Sequence, residues 1–583
     1  MRRTSSVPRA ALVPAVLLTA ALVIAACSGS DSANKAGDTK APGTVAQGAA
    51  DAQSALPPGS PLQDPPALQS KDGVLEATLT VTRTSYNVAG QTVQGLTYNG
   101  LVQPPTLKVN PGDTIKLSLV NDLPSPPQDA KESGTTITPA QARSSLTNLH
   151  YHGFDVSPSG DSDNVFLQVK RGETQKYTVV LPSDHEQGMF WYHPHIHLNS
   201  ESQVLGGMSG LIQVGSPSSQ LPKDFDGIKT RYFALKDLPS LPQPVAPPGS
   251  ANLGPIQFDG QRLVNGQVTP TVDIAPGEVQ LWRFANIGAN VPYAVTLGSA
   301  TFFIINQDGA PQPAMTPSTK LLLPPGKRFD VLIMGPPAGS IDMMTETVPF
   351  GSATVPAYKL ATVTSAGTPV KGPALPSPLL NGKGPITAAA TVQRTFALGF
   401  DESTGQYTIN GKPFSMDRID TTVTGGDTEE WTITNTTPIG HPFHIHITDF
   451  QVLSITGAPQ AFTGQMDTVL VPPNGNVVFK ITFDPRYPGK FVYHCHILNH
   501  EDGGMMGTIE VVAPKSTGTT TPGSAVGTSA PTSTAASSSS TATVAPSTTA
   551  AASSSTSATT TSGVSTTTGP SSTTTTAPTT TKP

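Results

Sequence analysis

The chain carries only twelve histidines and two cysteines among 583 residues. Ten of the histidines fall in four short clusters: His150-Tyr151-His152, His193-Pro194-His195, His441-Pro442-Phe443-His444-Ile445-His446, and His494-Cys495-His496 with His500 just beyond. At this abundance, four His-x-His pairs do not arise by chance, and their dispersal excludes a tag or a histidine-rich tract. A structural zinc site takes four ligands, usually several of them thiolates. Eight paired imidazoles and one thiolate exceed that. Imidazole suits copper, and two histidines, one cysteine and a weak axial methionine make an electron-transfer copper site.

The spacing has a physical reading. Residues i and i+2 of a strand face the same side, about 6.6 Å apart. Each His-x-His therefore offers two imidazoles on one face, and four pairs can enclose a three-copper cluster that divides eight imidazoles as two, three and three. Cys495 points to the face opposite His494 and His496. There it can bind a fourth copper with His441, His500 and Met505. One residue of backbone on each side then joins the thiolate site to the cluster. Electrons would enter singly at the thiolate and leave in fours to dioxygen.

The elements that must position these residues are short alternating strands. Leu107-Lys108-Val109 and Ile115-Lys116-Leu117-Ser118-Leu119 alternate apolar and polar residues, the half-buried strand pattern. The pattern recurs three times. Asn99-Gly100, Asn265-Gly266 and Asn410-Gly411 are each followed by a second turn and then by Asn121, Asn286 or Asn435. Such turn signals between strands argue for three consecutive β-sandwich domains, at 72–216, 217–380 and 390–515, with a Pro/Gly-rich linker near 366–390. The middle domain has no histidine, so it is expected to be a copper-free spacer. The composition agrees with an all-β chain: 54 glycines, 58 prolines and only 13% charged residues exclude a helical bundle. A net charge of −6 gives no nucleic-acid footprint, and two cysteines exclude a disulfide framework.

The ends read differently. Arg2, Arg3 and Arg9 precede an apolar run from Ala10 to Ala26, too short for a spanning helix and shaped like an export signal. Ile24-Ala25-Ala26-Cys27 resembles a bacterial lipobox, so residues 1–26 are expected to be removed and Cys27 lipidated. This puts the chain in the cell envelope, anchored to the outer face of the plasma membrane. If the lipobox is not used, it would be periplasmic or secreted. Residues 27–71 read as a disordered tether. Residues 516–583 read as a Ser/Thr-rich disordered tail of a composition that often carries O-linked sugars.

At His494-Cys495-His496-Ile497-Leu498-Asn499-His500-Glu501-Asp502-Gly503-Gly504-Met505, Trp191-Tyr192-His193-Pro194-His195 and the 441–446 cluster, the chain resembles the multicopper oxidases, the family of laccases, cuprous oxidases and bilirubin oxidases. The resemblance spans 72–515 apart from the linkers. It implies three cupredoxin-like Greek-key sandwiches and four coppers. Type 1 copper would take His441, Cys495, His500 and axial Met505, which the family spacing favours over Met506. Type 2 copper would take His150 and His444. One type 3 copper would take His152, His193 and His496; the other would take His195, His446 and His494. Asp163 and Glu501 match the family's proton donors to oxygen. His185 and His197 are expected behind the ligands or at the surface, and Arg283, Lys327 and Arg328 are expected as interface or surface charges.

The implied activity is one-electron oxidation of a phenol or aromatic amine, laccase-like, coupled to reduction of dioxygen to water by a monomer. The alternatives are a cuprous or other metal oxidase in copper tolerance and a non-catalytic envelope scaffold. Eleven scattered methionines, with no Met-rich insert before the fourth histidine cluster, weigh against a dedicated cuprous oxidase, because thioether ligands are what favour Cu(I).

Overall fold

Asn99, Asn265 and Asn410 adopt φ of 55°, 52° and 54°, and the glycines after them 76°, 80° and 71°. These are two-residue turns with both central residues left-handed, which Asn-Gly tolerates best. Each asparagine also accepts a backbone N–H from a neighbouring strand, of Thr80 (2.7 Å), Ala234 (2.8 Å) and Ala397 (2.7 Å). Asn121, Asn286 and Asn435 repeat a second device. Their side-chain amides donate to loop carbonyls of Val169, Leu323 and Pro472, at 2.8, 2.9 and 3.0 Å. The threefold repeat is thus a repeat of hydrogen bonds as well as of letters.

The computed structural model describes residues 55–123, 145–238, 256 and 258–514. They build three sandwiches, each with two main sheets. Every sandwich repeats a parallel pairing of the same kind: Val74–Val88 with Thr114–Asp122, Thr230–Asp237 with Val279–Asn286, and Val392–Asp401 with Thr428–Asn435. The three-sandwich, all-β fold is that of the cupredoxins. All the described residues lie in one compact unit.

The ligand-bearing strands lie side by side within a sheet of the first and a sheet of the third sandwich. His150–His152 pairs antiparallel with Met189–His193, setting His150 opposite His193. His441–Ile445 pairs with Gly489–Cys495, setting His444 opposite His494 and Phe443 opposite Cys495. Residues opposite one another share a face. One face therefore presents His444 and His494, and the other presents Phe443, Cys495 and, two residues back, His441.

Part of the expected tether is ordered. Leu62 N–H donates to Thr271 O at 2.8 Å, Thr271 N–H donates to Ser60 O at 2.9 Å, and Ala67–Gln69 adds a parallel strand to Thr106–Val109. The stretch has few apolar residues, but its prolines hold it extended and lack the N–H groups a sheet edge leaves unpaired. The expected signal segment, Cys27 and the tail from 516 lie outside the described residues.

The first and second sandwiches are clasped by a buried ammonium. Lys236 Nζ donates to the carbonyls of Val102, Gly207 and Ser209 at 2.6, 3.0 and 2.7 Å, which uses all three of its protons. In the first sandwich His185 packs edge-on against Phe154 and Phe190, with ring centroids 4.9 and 5.2 Å away. Burial lowers its imidazole to about 4. An unfolded histidine titrates near 6.5. The folded group therefore resists protonation: its stabilising contribution is complete above pH about 6.5 and is lost as pH falls toward 4. Replacing His185→Gln is expected to flatten the loss of stability between pH about 6.5 and 4.5, by at most about 3 kcal/mol. An unchanged slope in denaturant titrations at several pH values would contradict this.

Candidate metal centre

The four histidine pairs converge between the first and third sandwiches. His195 Nε2 and His446 Nε2 lie 3.1 and 3.2 Å from His494 Nε2. His496 Nε2 lies 3.2 Å from His152 Nδ1. His150 stacks on His446 and His152 on His444, with centroids 3.8 and 3.9 Å apart. Three sets each bring their ligand atoms within 4.8 Å: His150, His152 and His444; His152, His193 and His496; His195, His446 and His494. Both expected three-histidine sets are among these; His150 and His444 come together with His152, and His150 also lies in a set with Asp163 and His446.

Three of the rings have an oxygen partner at the outward nitrogen. His150 Nδ1 faces Asp163 at 2.9 Å, His193 Nδ1 faces Pro194 O at 2.9 Å, and His444 Nδ1 faces Asp467 O at 2.9 Å. The Nε2 atoms of the same three rings are buried without a hydrogen-bond partner. A neutral imidazole carries one proton, so with Nδ1–H donating outward, each Nε2 presents a lone pair to the interior. Burial first, and the neighbouring imidazoles second, hold His150 and His446 well below the ordinary histidine range; His195 falls to about 4. Unprotonated lone pairs converging from three sides suit a cation. At metal–nitrogen distances of about 2.0 Å in tetrahedral geometry, neighbouring ligand nitrogens are about 3.3 Å apart.

On the other face of the 489–495 strand, Cys495 Sγ lies 3.4 Å from His441 Nδ1 and 3.6 Å from His500 Nδ1, and these two nitrogens are 3.1 Å apart. His500 comes from the short helix Leu498–Asp502. Burial pushes the Cys495 thiol up and His441 down to about 3. A thiolate here therefore needs a cation beside it, which the two imidazole lone pairs can help hold. Met505 packs in the same apolar cluster as Cys495, whereas Met506 packs with Val165 and Val492. Tyr407 stacks on His500 at 4.1 Å, Phe350 approaches at 6.2 Å, and His500 is only 1% exposed. Its ring meets an aromatic wall rather than an open pocket.

Both expected acids abut these histidines. Asp163 takes the His150 Nδ1 contact and accepts the Tyr151 N–H at 3.0 Å, and burial pushes its carboxyl up to about 8. Glu501 Oε2 lies 3.1 Å from His494 Nδ1 and its Oε1 lies 3.6 Å from His195 Nδ1. Burial raises Glu501 as well. His185 and His197 belong to no ligand set among the described residues. His185 is buried rather than at the surface, and His197 lies edge-on to Phe414 at 4.9 Å.

Sequence reasoning missed Asp467, whose Oδ1 is 3.4 Å from His152 Nε2. A lone aspartate immediately before the strand Thr468–Val471 of the third sandwich gives no periodic signal. The middle sandwich also proves to be more than a spacer. Its turn at Gly326, with φ of +88°, lies so close to the cluster that an added Cβ would stand 3.0 Å from His496 and 3.3 Å from His152. Lys327 and Arg328 continue that turn and pair with Asp308 and Asp467. They are interface charges, as expected, but buried ones. Arg283 is neither exposed nor loose: it faces Asp330 directly across the strand ladder and forks onto it at 2.8 and 2.9 Å.

Three cupredoxin sandwiches, with a cysteine–histidine site on one side of a strand and an imidazole cage on the other, define a copper oxidoreductase architecture. Residues 139–219 and 386–515 match two family models, both described as multicopper oxidase. The chain is 27% identical to the multicopper oxidase mco of Staphylococcus aureus over 423 residues, covering 71% of this chain and 83% of that one. It is 28% identical to the cell division protein FtsP of Xenorhabdus nematophila over 470 residues (77% and 91% covered) and 25% identical to the laccase of Bacillus subtilis over 484 residues (72% and 90%). It shares its fold with the solved multicopper oxidase of Campylobacter jejuni, a metallo-oxidase, at TM-score 0.64 and 24% identity, covering 78% of this chain and 96% of that one. Residues 139–219 and 386–515 thus carry two multicopper oxidase domains, and that family implies copper.

A side chain at 326 would meet both left-handed strain and two imidazoles. Gly326→Ala is therefore expected to lower copper among the eight histidines while sparing the cysteine site. Copper analysis combined with the thiolate absorption band checks this; full copper occupancy in the variant would contradict it.

Proposed function

We propose that this protein oxidises a small aromatic reductant, a phenol or aromatic amine, one electron at a time, and passes the electrons to dioxygen. One observation carries the reading: Cys495 faces one way while His494 and His496, its chain neighbours, face the other and sit in two different histidine sets. His441, Cys495 and His500, with Met505 beside them, would hold the type 1 ion. His150 and His444 would hold the type 2 ion. His152, His193 and His496 would hold one type 3 ion, and His195, His446 and His494 the other. Copper at these places supplies one-electron exchange at the thiolate and accumulated electrons for dioxygen at the cluster.

The chain's own residues do the rest. Half-buried Tyr407, stacked on His500, gives an aromatic reductant a surface of its own kind, and ring stacking favours such a partner. Reducing one dioxygen to two waters takes four electrons and four protons. Asp163, protonated up to pH about 8, and the buried Glu501 keep protons within reach of the cluster. Asp163 also fixes the His150 tautomer, as carboxylates behind ligand histidines do.

The likeness to a cell division protein supports a second reading, a scaffold in the envelope. The two part at Cys495→Ser, which removes the electron entry and leaves the outer surface intact. Oxygen uptake by the copper-loaded protein, with dimethoxyphenol and with Cu(I) under identical conditions, tests the substrate. Faster uptake with the phenol is expected, with loss of at least a thousandfold in Cys495→Ser. Faster uptake with Cu(I) would make it a metal oxidase, and no uptake with either would leave the scaffold.

Export and lipid anchoring at Cys27 belong to the same proposal, since copper loads more readily outside a reducing cytosol. Cys27→Ser is expected to move the protein from the membrane to the soluble fraction. Unchanged membrane association would remove the anchor from the account.

A further inference from the structure

We propose that Arg328 and Asp467 are a positioning pair, half of it supplied by the middle sandwich, that sets the tautomers of His152 and His444 and so governs assembly of the histidine cluster. The inference rests on the proposed function in one respect, that the cluster holds copper.

The two stacked imidazoles face inward by different atoms. His152 turns Nδ1 toward His496 Nε2 at 3.2 Å, so its proton must sit on Nε2. The acceptor there is Asp467 Oδ1 at 3.4 Å. His444 turns Nε2 inward, and its Nδ1 proton goes to the backbone carbonyl of the same Asp467 at 2.9 Å, with Oδ1 at 3.6 Å. One residue thus enforces opposite tautomers in neighbouring rings. At His152 it does so through its carboxyl, which must accept there.

Arg328 keeps it so. Arg328 Nη1 lies 2.9 Å from Oδ1 and 2.8 Å from Oδ2, and Thr468 Oγ1 donates to Oδ1 at 2.7 Å. The guanidinium is itself fixed from two sandwiches: Nε donates to Met189 O at 3.2 Å and Nη2 to Asp308 O at 2.6 Å. Asp308 in turn takes Lys327 Nζ at 2.7 Å. Two acids and two cations make a neutral, buried group that touches all three sandwiches. A lysine at 328 keeps the charge but not the fork that reaches these acceptors together. A neutral side chain there strands a buried carboxylate, which is costly and favours its protonation.

The test uses the full-length, copper-loaded protein and four variants: Arg328→Gln, Arg328→Lys, Asp467→Asn and Lys236→Met. Lys236 is the comparison, because it is another buried cation between sandwiches but contacts only backbone carbonyls. Three quantities are read: copper per chain, the electron paramagnetic resonance signal of the type 2 ion, and the thiolate absorption band. Arg328→Gln and Asp467→Asn are expected to lose at least half of the type 2 signal or to shift its hyperfine splitting, with the thiolate band retained. Arg328→Lys should fall between these and the parent. Lys236→Met should lower thermal stability and leave the signal unchanged. A parent-like signal in both Arg328→Gln and Asp467→Asn overturns the inference, and so does an equal change in Lys236→Met, which would mean general loosening of the interface. A parent protein that takes up no cluster copper overturns the proposed function as well.

Discussion

Imidazole lone pairs held 3.1–3.2 Å apart in a buried cage repel one another unless a proton or a metal cation lies between them. The fold is organised around keeping them there. Six of the eight rings have an oxygen behind them: Asp163 on His150, Asp467 on His152, backbone carbonyls on His193 and His444, and Glu501 beside His494 and His195. The frame must be stiff, because a ring free to rotate would turn its lone pair toward any proton donor. Sheet ladders supply part of that stiffness: His150, His152 and His193 in the first sandwich and His444 and His494 in the third are set by register, and His195, His446 and His496 follow just beyond the strand ends.

The cage also explains why three sandwiches are needed. The first and third bring two pairs each, but their junction would leave charged and polar groups of the interface unpaired. The middle sandwich closes it with Gly326, Lys327 and Arg328, using a turn that only glycine fits. Its lack of histidines says nothing of its distance from the chemistry.

Most of the site was legible because strand alternation converts spacing into direction. His-x-His means one face; Cys495 between two histidines means the other; His441, three before His444, belongs with the cysteine. The Asn-Gly repeats were legible for a similar reason, since the left-handed turn requires those residues. What stayed hidden was whatever depends on contacts between distant segments. Asp467, Asp308 and Arg328 are ordinary polar residues in the sequence, and only packing makes them partners. The ordered stretch at 55–71 was hidden too, because its docking relies on backbone hydrogen bonds and prolines rather than on apolar periodicity. The aromatic wall over His500 joins Tyr407 and Phe350 from two sandwiches, a juxtaposition without any local signature.

The central claim is that a single thiolate site feeds an eight-imidazole cluster through one strand. Anaerobic reductive titration of the copper-loaded protein tests it most directly, followed by a measured addition of dioxygen. The account predicts four electrons per chain, bleaching of the thiolate band during the titration, and full reoxidation by one dioxygen without release of peroxide. Uptake of one electron per chain, or peroxide as the product, would mean that the thiolate site and the histidine cage do not work as one unit.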